Sequence, residues 1–312
     1  MQHFSSKILL FGEYSVIVGG NALAIPFEAY HGQFRFLNLN SPLAESANWS
    51  NRALQQFVVA IEEMIRYQKL SLIIDLDRFV GDLQQGLFFD SNIPKGYGLG
   101  SSGAVVAGVV SKYGNDSAEE LKINSLRALQ QQFAVLESHF HGQSSGFDPL
   151  VCYLNQAVLK TKNEVRTIEV DMKQEGEMIL FLIDTQLSRE TEPLVQYFLN
   201  RLETPDFDFF CREQLKPVND VCIEAFLEGN GKILKDSIHQ LSVLQWKYFQ
   251  RMIPNHFRSF WENGLESGKY VLKLCGAGGG GCMMGMADLE NWGFLEKTFG
   301  KSNLNEVCRV LF

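Results

Sequence analysis

The chain has 312 residues, with 28 Lys+Arg against 36 Asp+Glu and a net charge of −8. At roughly 100–200 residues per domain this length suggests two domains, and 46% hydrophobic with 21% charged residues excludes a disordered chain. An acidic chain without a Lys/Arg-dense block offers no electrostatic footprint for nucleic acid or an anionic membrane, so neither partner is expected.

Taken in order, residues 7–11 and 14–18 are short apolar runs separated by Gly12-Glu13, and a third run, Ala22 to Ile25, stops at Pro26. Strands joined by tight turns are expected here. His31 to Asn38 alternates apolar and polar residues and predicts another strand. Leu54, Phe57, Val58, Ile61, Met64 and Ile65 have helical spacing. Ser101-Ser102 stand where a further helix begins. An S-x-x-E capping box at Ser117 and Glu120, followed by Leu126, Leu129, Phe133, Leu136 and Phe140, predicts a helix ending near Gly142. Ile179 to Ile183 reads as a buried strand. Two helical patterns between about Arg212 and Met252 are broken at Gly229-Asn230-Gly231. Tyr270 to Leu274 and Cys282 to Met286 flank a glycine run, and Val307 to Phe312 predicts a last strand. The class is mixed α+β, with a domain change expected near the polar stretch Lys160 to Gln174.

Residues 1–7 lack the pattern of a secretory signal and no apolar run approaches the roughly 18–20 residues needed to span a bilayer, so a cytoplasmic protein is expected. Six cysteines without a CxxC pair predict buried thiols rather than a zinc site or a disulfide framework.

Three segments carry chemistry. In Pro94-Lys95-Gly96-Tyr97-Gly98-Leu99-Gly100-Ser101-Ser102-Gly103, glycines at alternating positions can turn their amides inward just before a helix N-terminus, which suits a polyphosphate. A plain glycine-rich turn capped by serine is the alternative. The segment is neither a Walker A loop nor a dinucleotide fingerprint. Glu137 and Asp148 lie on either side of a Gly/Ser turn. Hard divalent cations take few carboxylates plus phosphate oxygens, so Glu137 with the Ser102 hydroxyl makes a sensible Mg²⁺ set, leaving Asp148 as a base. Solvated or capping carboxylates are the alternative. His139 and His141 are expected to be structural. Finally, Lys273 to Cys282 holds five glycines among six residues; a hairpin needs two turn residues, so close approach of the backbone to a ligand is expected.

Lys7-x-x-x-x-Gly12-Glu13-Tyr14 with Val18-Gly19-Gly20-x-Ala22-Leu23-Ala24, the serine-glycine loop and the glycine run, in this order, resemble the three motifs of the GHMP kinases. Within that family, Glu137, His141-Gly142, Ser145-Gly146 and Asp148 match the mevalonate-kinase pattern E-x3-H-G-x2-S-G-x-D. Asp184 to Thr191 with Leu194-Val195 resembles the N-T-x-x-x-R-x-T-x-x-L-V segment. Gly280-Gly281-Cys282 stands where phosphomevalonate kinases carry Gly-Asp-Cys, whereas Tyr14 replaces the usual His of mevalonate kinases, as in phosphomevalonate kinases.

The resemblance implies a ribosomal-S5-like N-terminal domain (1–170) that binds ATP and a ferredoxin-like C-terminal domain (171–312), with dimerisation possible. It further implies ATP-dependent phosphorylation of mevalonate, with Asp148 as the base and Lys7 beside it. Gly96, Gly98, Leu99, Gly100, Ser101, Ser102 and Gly103 would cradle the phosphates, and Ser102 and Glu137 would hold Mg²⁺. On the acceptor side it implies Glu13, Tyr14, Ser145, Gly146, Arg189, Thr191, Gly278 and Gly279, with Arg189 facing the carboxylate. Phosphomevalonate kinase, a sugar kinase of the same fold and a non-catalytic ATP sensor are the alternatives.

Overall fold

The computed structural model describes residues 2–37, 44–114, 126–170, 176–188 and 192–310. They divide into two compact units that interleave along the chain, one formed by residues 1–7, 25–94 and 100–156, the other by 8–24, 95–99 and 157–312. The two long N-terminal strands each contribute residues to both units.

β1 (Phe4–Phe11) and β2 (Ala22–Phe36) are these two strands. Two runs broken by Pro26 were expected where β2 continues for 15 residues. Ala22 to Ala24 pair antiparallel with one neighbour and Gly32 to Phe36 with another. Pro26 falls between those stretches, where its missing N–H removes no bond of either ladder. In the first unit β2 pairs with β3 (Leu87–Ser91). The helices of this unit are α1 (Ala44–Arg66), α2 (Leu76–Gln84), α3 (Ser101–Tyr113), α4 (Leu126–His141) and α5 (Phe147–Leu154). α1 and α4 follow the spacings read from the sequence, and the α4 ladder closes at Gly142, whose N–H donates to Ser138 O at 2.8 Å. Ser117 and Glu120 lie outside the described residues.

In the second unit β4 (Ala157–Lys160) pairs with β2 and with β5 (Val165–Ile168). An antiparallel sheet is ordered β7 (Tyr270–Leu274), β8 (Cys282–Asp288), β6 (Met178–Asp184), β9 (Leu304–Val310). β6 is paired on both sides and buried from Met178 to Ile183, which is why its sequence is a continuous apolar run rather than an alternating one. The helices are α6 (Glu192–Leu202), α7 (Pro205–Phe210), α8 (Lys216–Leu227), α9 (Gly231–Tyr248), α10 (Arg258–Ser267) and α11 (Trp292–Phe299). α8 and α9 part at Gly229, as the sequence predicts, and Asn230 caps α9 by accepting from Ile233 N–H at 3.1 Å.

One local assignment differs. Ser15–Val18 is a 3₁₀ turn, not a strand. Gly12 and Tyr14 both have positive φ, and Ile17 N–H donates to Tyr14 O at 3.0 Å, closing the turn locally before a strand partner can be recruited. So short an apolar run cannot by itself distinguish these states. All six cysteines are buried and form no disulfide. No helix among the described residues is long and apolar enough to cross a membrane.

Candidate active site

The first unit gathers Lys7, Ser102, Glu137, Ser144 and Asp148. Lys7 comes from β1 and is 4% exposed. Its ammonium lies 2.9 Å from Asp148 Oδ1, the carboxylate being 32% exposed. Asp148 sits in the first turn of α5, where the positive end of the helix dipole favours a negative charge. A buried lysine facing a half-exposed carboxylate leaves one side of the carboxylate open to an incoming group.

Gly103 explains how Asp148 reaches this place. A Cβ on Gly103 would lie 2.9 Å from Asp148 C and Pro149 N, so only glycine lets the first turn of α3 rest on the start of α5. Ahead of α3, Gly96, Gly98 and Gly100 all have φ between 74 and 78°, the left-handed region that glycine adopts without penalty. Gly100 is the N-cap of α3 and no side chain caps the helix, so first-turn amides of α3 are placed as anion donors usually are. The glycine loop and the helix start therefore have the geometry read from the sequence.

Glu137, in α4, is 4% exposed and accepts from Ser102 Oγ at 2.9 Å and from Ser144 Oγ. Ser144 Oγ in turn accepts from Gly146 N–H at 3.0 Å. Burial first, and then the nearby charge of Asp148, push the Glu137 carboxyl up to about 7 against those two hydrogen bonds and the pull of Lys7. A desolvated carboxylate beside a hydroxyl is a hard-oxygen donor pair that a divalent cation would relieve, so these residues fit Mg²⁺. Among the described residues no group of three or more His, Cys, Asp or Glu could hold a metal ion.

Ser145 and Gly146 belong to the same turn: Ser145 O accepts from Gln130 Nε2 at 2.7 Å, and Gly146 is the N-cap of α5. His139 stacks on Phe57 with ring centroids 5.2 Å apart, the structural role expected of it. Arg189 and Thr191 lie outside the described residues.

In the second unit Glu13 and Tyr14, expected to orient acceptor hydroxyls, each have a protein partner. Glu13 Oε1 lies 2.6 Å from Lys273 Nζ, and their side chains are 1% and 2% exposed. Burial pushes the Glu13 carboxyl up while Lys273 pulls it down. Tyr14 donates its hydroxyl to Ala277 O at 2.7 Å, and its ring packs between Phe198 and Phe249. The glycine run was expected to approach a ligand, yet three of its residues approach the chain itself. A Cβ on Gly278 would meet Met252 O at 2.4 Å, one on Gly279 Leu194 Cδ1 at 2.6 Å, and one on Gly281 the Tyr97 backbone at 2.6 Å. Sequence reasoning missed Lys273 and Ser144. A lysine inside the apolar run Tyr270 to Leu274 was the available signal, since a buried ammonium requires a partner.

Comparison with known proteins finds relatives along most of the chain. Residues 58–156 match the family described as GHMP kinases N terminal domain. The chain is 24% identical to mevalonate kinase of Schizosaccharomyces pombe over 336 aligned positions, covering 88% of this chain and 80% of that protein. The chain thus carries a match to a GHMP kinase domain and resembles mevalonate kinases along most of its length. Its fold is that of GHMP kinases of known structure. It superposes on L. major mevalonate kinase, solved in complex with R-mevalonate, with a TM-score of 0.63 at 16% identity, covering 99% of this chain and 95% of that one. The Streptococcus pneumoniae phosphomevalonate kinase, in complex with phosphomevalonate and AMPPNP, superposes with a TM-score of 0.62 at 16% identity, covering 98% of both chains. The α+β class read from the sequence is thus the observed one.

Proposed function

We propose that this chain is a GHMP kinase and transfers the γ-phosphoryl group of ATP to the primary hydroxyl of mevalonate, a step of isoprenoid precursor synthesis. The observation that carries this reading is the Lys7–Asp148 pair at 2.9 Å in the same unit as the Ser102–Glu137 pair. Asp148 accepts the hydroxyl proton as that oxygen bonds to the γ-phosphorus and the bond to the β-phosphate oxygen breaks, releasing ADP. Base assistance of this kind contributes about 10²–10⁴ in rate. Lys7 holds Asp148 in place and offsets negative charge on the group in flight. Backbone amides from Gly96 to Gly103 cradle the phosphates. Ser102 and Glu137 would hold Mg²⁺, which when bound neutralises charge on the β- and γ-phosphates. Arg189 pairs with the acceptor carboxylate, with Thr191, Ser145 and Gly146 shaping the acceptor pocket. In this reading residues 1–170 form the nucleotide-binding domain and 171–312 the C-terminal domain.

Phosphomevalonate is the second acceptor to consider, since Tyr14 matches that class. Against it stands Gly281, where an aspartate side chain would run into the Tyr97 backbone. ADP release by the purified protein with Mg²⁺-ATP and, separately, mevalonate, 5-phosphomevalonate and galactose tests the assignment. Turnover with mevalonate alone is expected. Turnover only with 5-phosphomevalonate would transfer the assignment to that substrate, and ATP binding without turnover on any acceptor would favour the sensor.

A further inference from the structure

Two stretches of the second unit meet at one peptide unit. Residues 95–99 form the first half of the glycine loop that leads into α3. Residues 185–188 leave the end of β6 and lead toward Arg189 and Thr191, the residues read as acceptor contacts. Gly281 holds both. Its carbonyl accepts two hydrogen bonds from Thr185, from the backbone N–H at 2.9 Å and from the Oγ1 hydroxyl at 2.6 Å. Its own N–H donates to Leu187 O at 2.6 Å, and the next N–H, that of Cys282, donates to Tyr97 O at 3.4 Å. Thr185 is 3% exposed, so its hydroxyl bond is made out of water, where leaving a polar group unmade is costly.

The contact has little slack. Gly281 has φ of 69°, and a Cβ there would lie 2.6 to 2.8 Å from Tyr97 Cα, C and O. Backbone therefore rests on backbone, and a shift of 95–99 displaces the Gly281 peptide with no flexible side chain between to absorb it.

Resting on the kinase reading of the preceding subsection, we propose that Thr185 is a positioning residue that, through Gly281, couples occupancy of the nucleotide loop to the conformation of the acceptor segment 185–188. Coupling between two sites is reciprocal, so the acceptor strengthens nucleotide binding by the same factor as the nucleotide strengthens acceptor binding. Such coupling favours binding of either substrate to protein that already holds the other.

Hydrogen exchange of the full chain, with and without Mg²⁺-AMPPNP and with no acceptor present, tests this. In the wild type the analogue is expected to slow exchange at amides 95–99 and also at 185–188. Thr185→Val keeps the backbone donor to Gly281 O, so the carbonyl retains a partner and the fold is expected to hold. This variant should keep the protection at 95–99 and lose about two- to tenfold of it at 185–188, the range set by one hydrogen bond. Thr185→Ser restores it. In turnover assays Thr185→Val should raise the acceptor KM by a similar factor, with kcat little changed. Wild-type protein that binds the analogue without protection at 185–188, or Thr185→Val with wild-type protection there, would overturn the proposal and leave the kinase reading standing. Failure of the wild type to bind the analogue at all would overturn both.

Discussion

Two lysine–carboxylate pairs in this molecule are built from the same groups and sit in different surroundings. Lys7 and Asp148 lie 2.9 Å apart with side chains 5% and 32% exposed, whereas Lys273 and Glu13 lie 2.6 Å apart at 2% and 1%. A carboxylate that keeps a third of its surface can meet a substrate and exchange a proton. One sealed on all sides can do neither; it holds strand β7 to the turn after β1. Lys273 Nζ is also 2.7 Å from Leu274 O and lies over the Phe11 ring, 5.7 Å from its centroid. Exposure, rather than residue type or separation, distinguishes the pair proposed for catalysis from the sealed one.

The comparison breaks most sharply on activity. Asp148→Asn should lower kcat by about 10²–10⁴ while Mg²⁺-AMPPNP still binds, read by turnover and calorimetry. Wild-type turnover in this variant would remove Asp148 from the reaction. Next in size is stability: Lys273→Met strands the Glu13 carboxylate in the interior and should cost about 3–5 kcal/mol in urea unfolding. Replacing both, Glu13→Leu with Lys273→Met, should recover much of that loss, because a buried pair is offset by its own desolvation. If the single variant unfolds like the wild type, the pair is not the structural element described here.

In a third pair, Lys112 with Asp82 at 3.1 Å, the carboxylate is intermediate in exposure at 18%, while the lysine, at 28%, is more exposed than either of the others. Asp82 also accepts from the Tyr113 hydroxyl at 2.8 Å. Burial pushes its carboxyl up, but the hydrogen bonds from Tyr113 and Lys112 outweigh this and hold it below its ordinary value. A folded carboxyl shifted down stabilises the fold above its unfolded pKa and loses that contribution as pH falls through the folded one. Asp82→Asn should therefore cost about 1 kcal/mol near neutrality, with the gap to wild type closing in acid, as thermal melts at several pH values would show. A gap that widened in acid would reverse the assigned sign.

Much of the architecture was legible in the chain. The 3.6-residue spacing from Leu54 to Ile65 and from Leu126 to Phe140 became α1 and α4, and the apolar run at 179–183 became the buried strand β6. The candidate site was legible where it is local: Gly96, Gly98 and Gly100 turn ahead of α3, and Ser144 to Asp148 turn into α5. Ser15–Val18 was not, because the short apolar run Val16 to Val18 fits a strand or a turn equally well, and the positive φ of Gly12 and Tyr14 decided it.

By itself the sequence determined the α+β class, the order of three glycine-bearing motifs and the pairing of acidic residues around a Gly/Ser turn. These follow from backbone propensity and short-range spacing, which act over a few residues. Only the tertiary structure decided that Glu13 faces Lys273, that Tyr14 donates to Ala277 and that Gly281 rests on Tyr97. These contacts join residues more than 180 positions apart, and the desolvation and close packing that fix them exist only once the chain has folded.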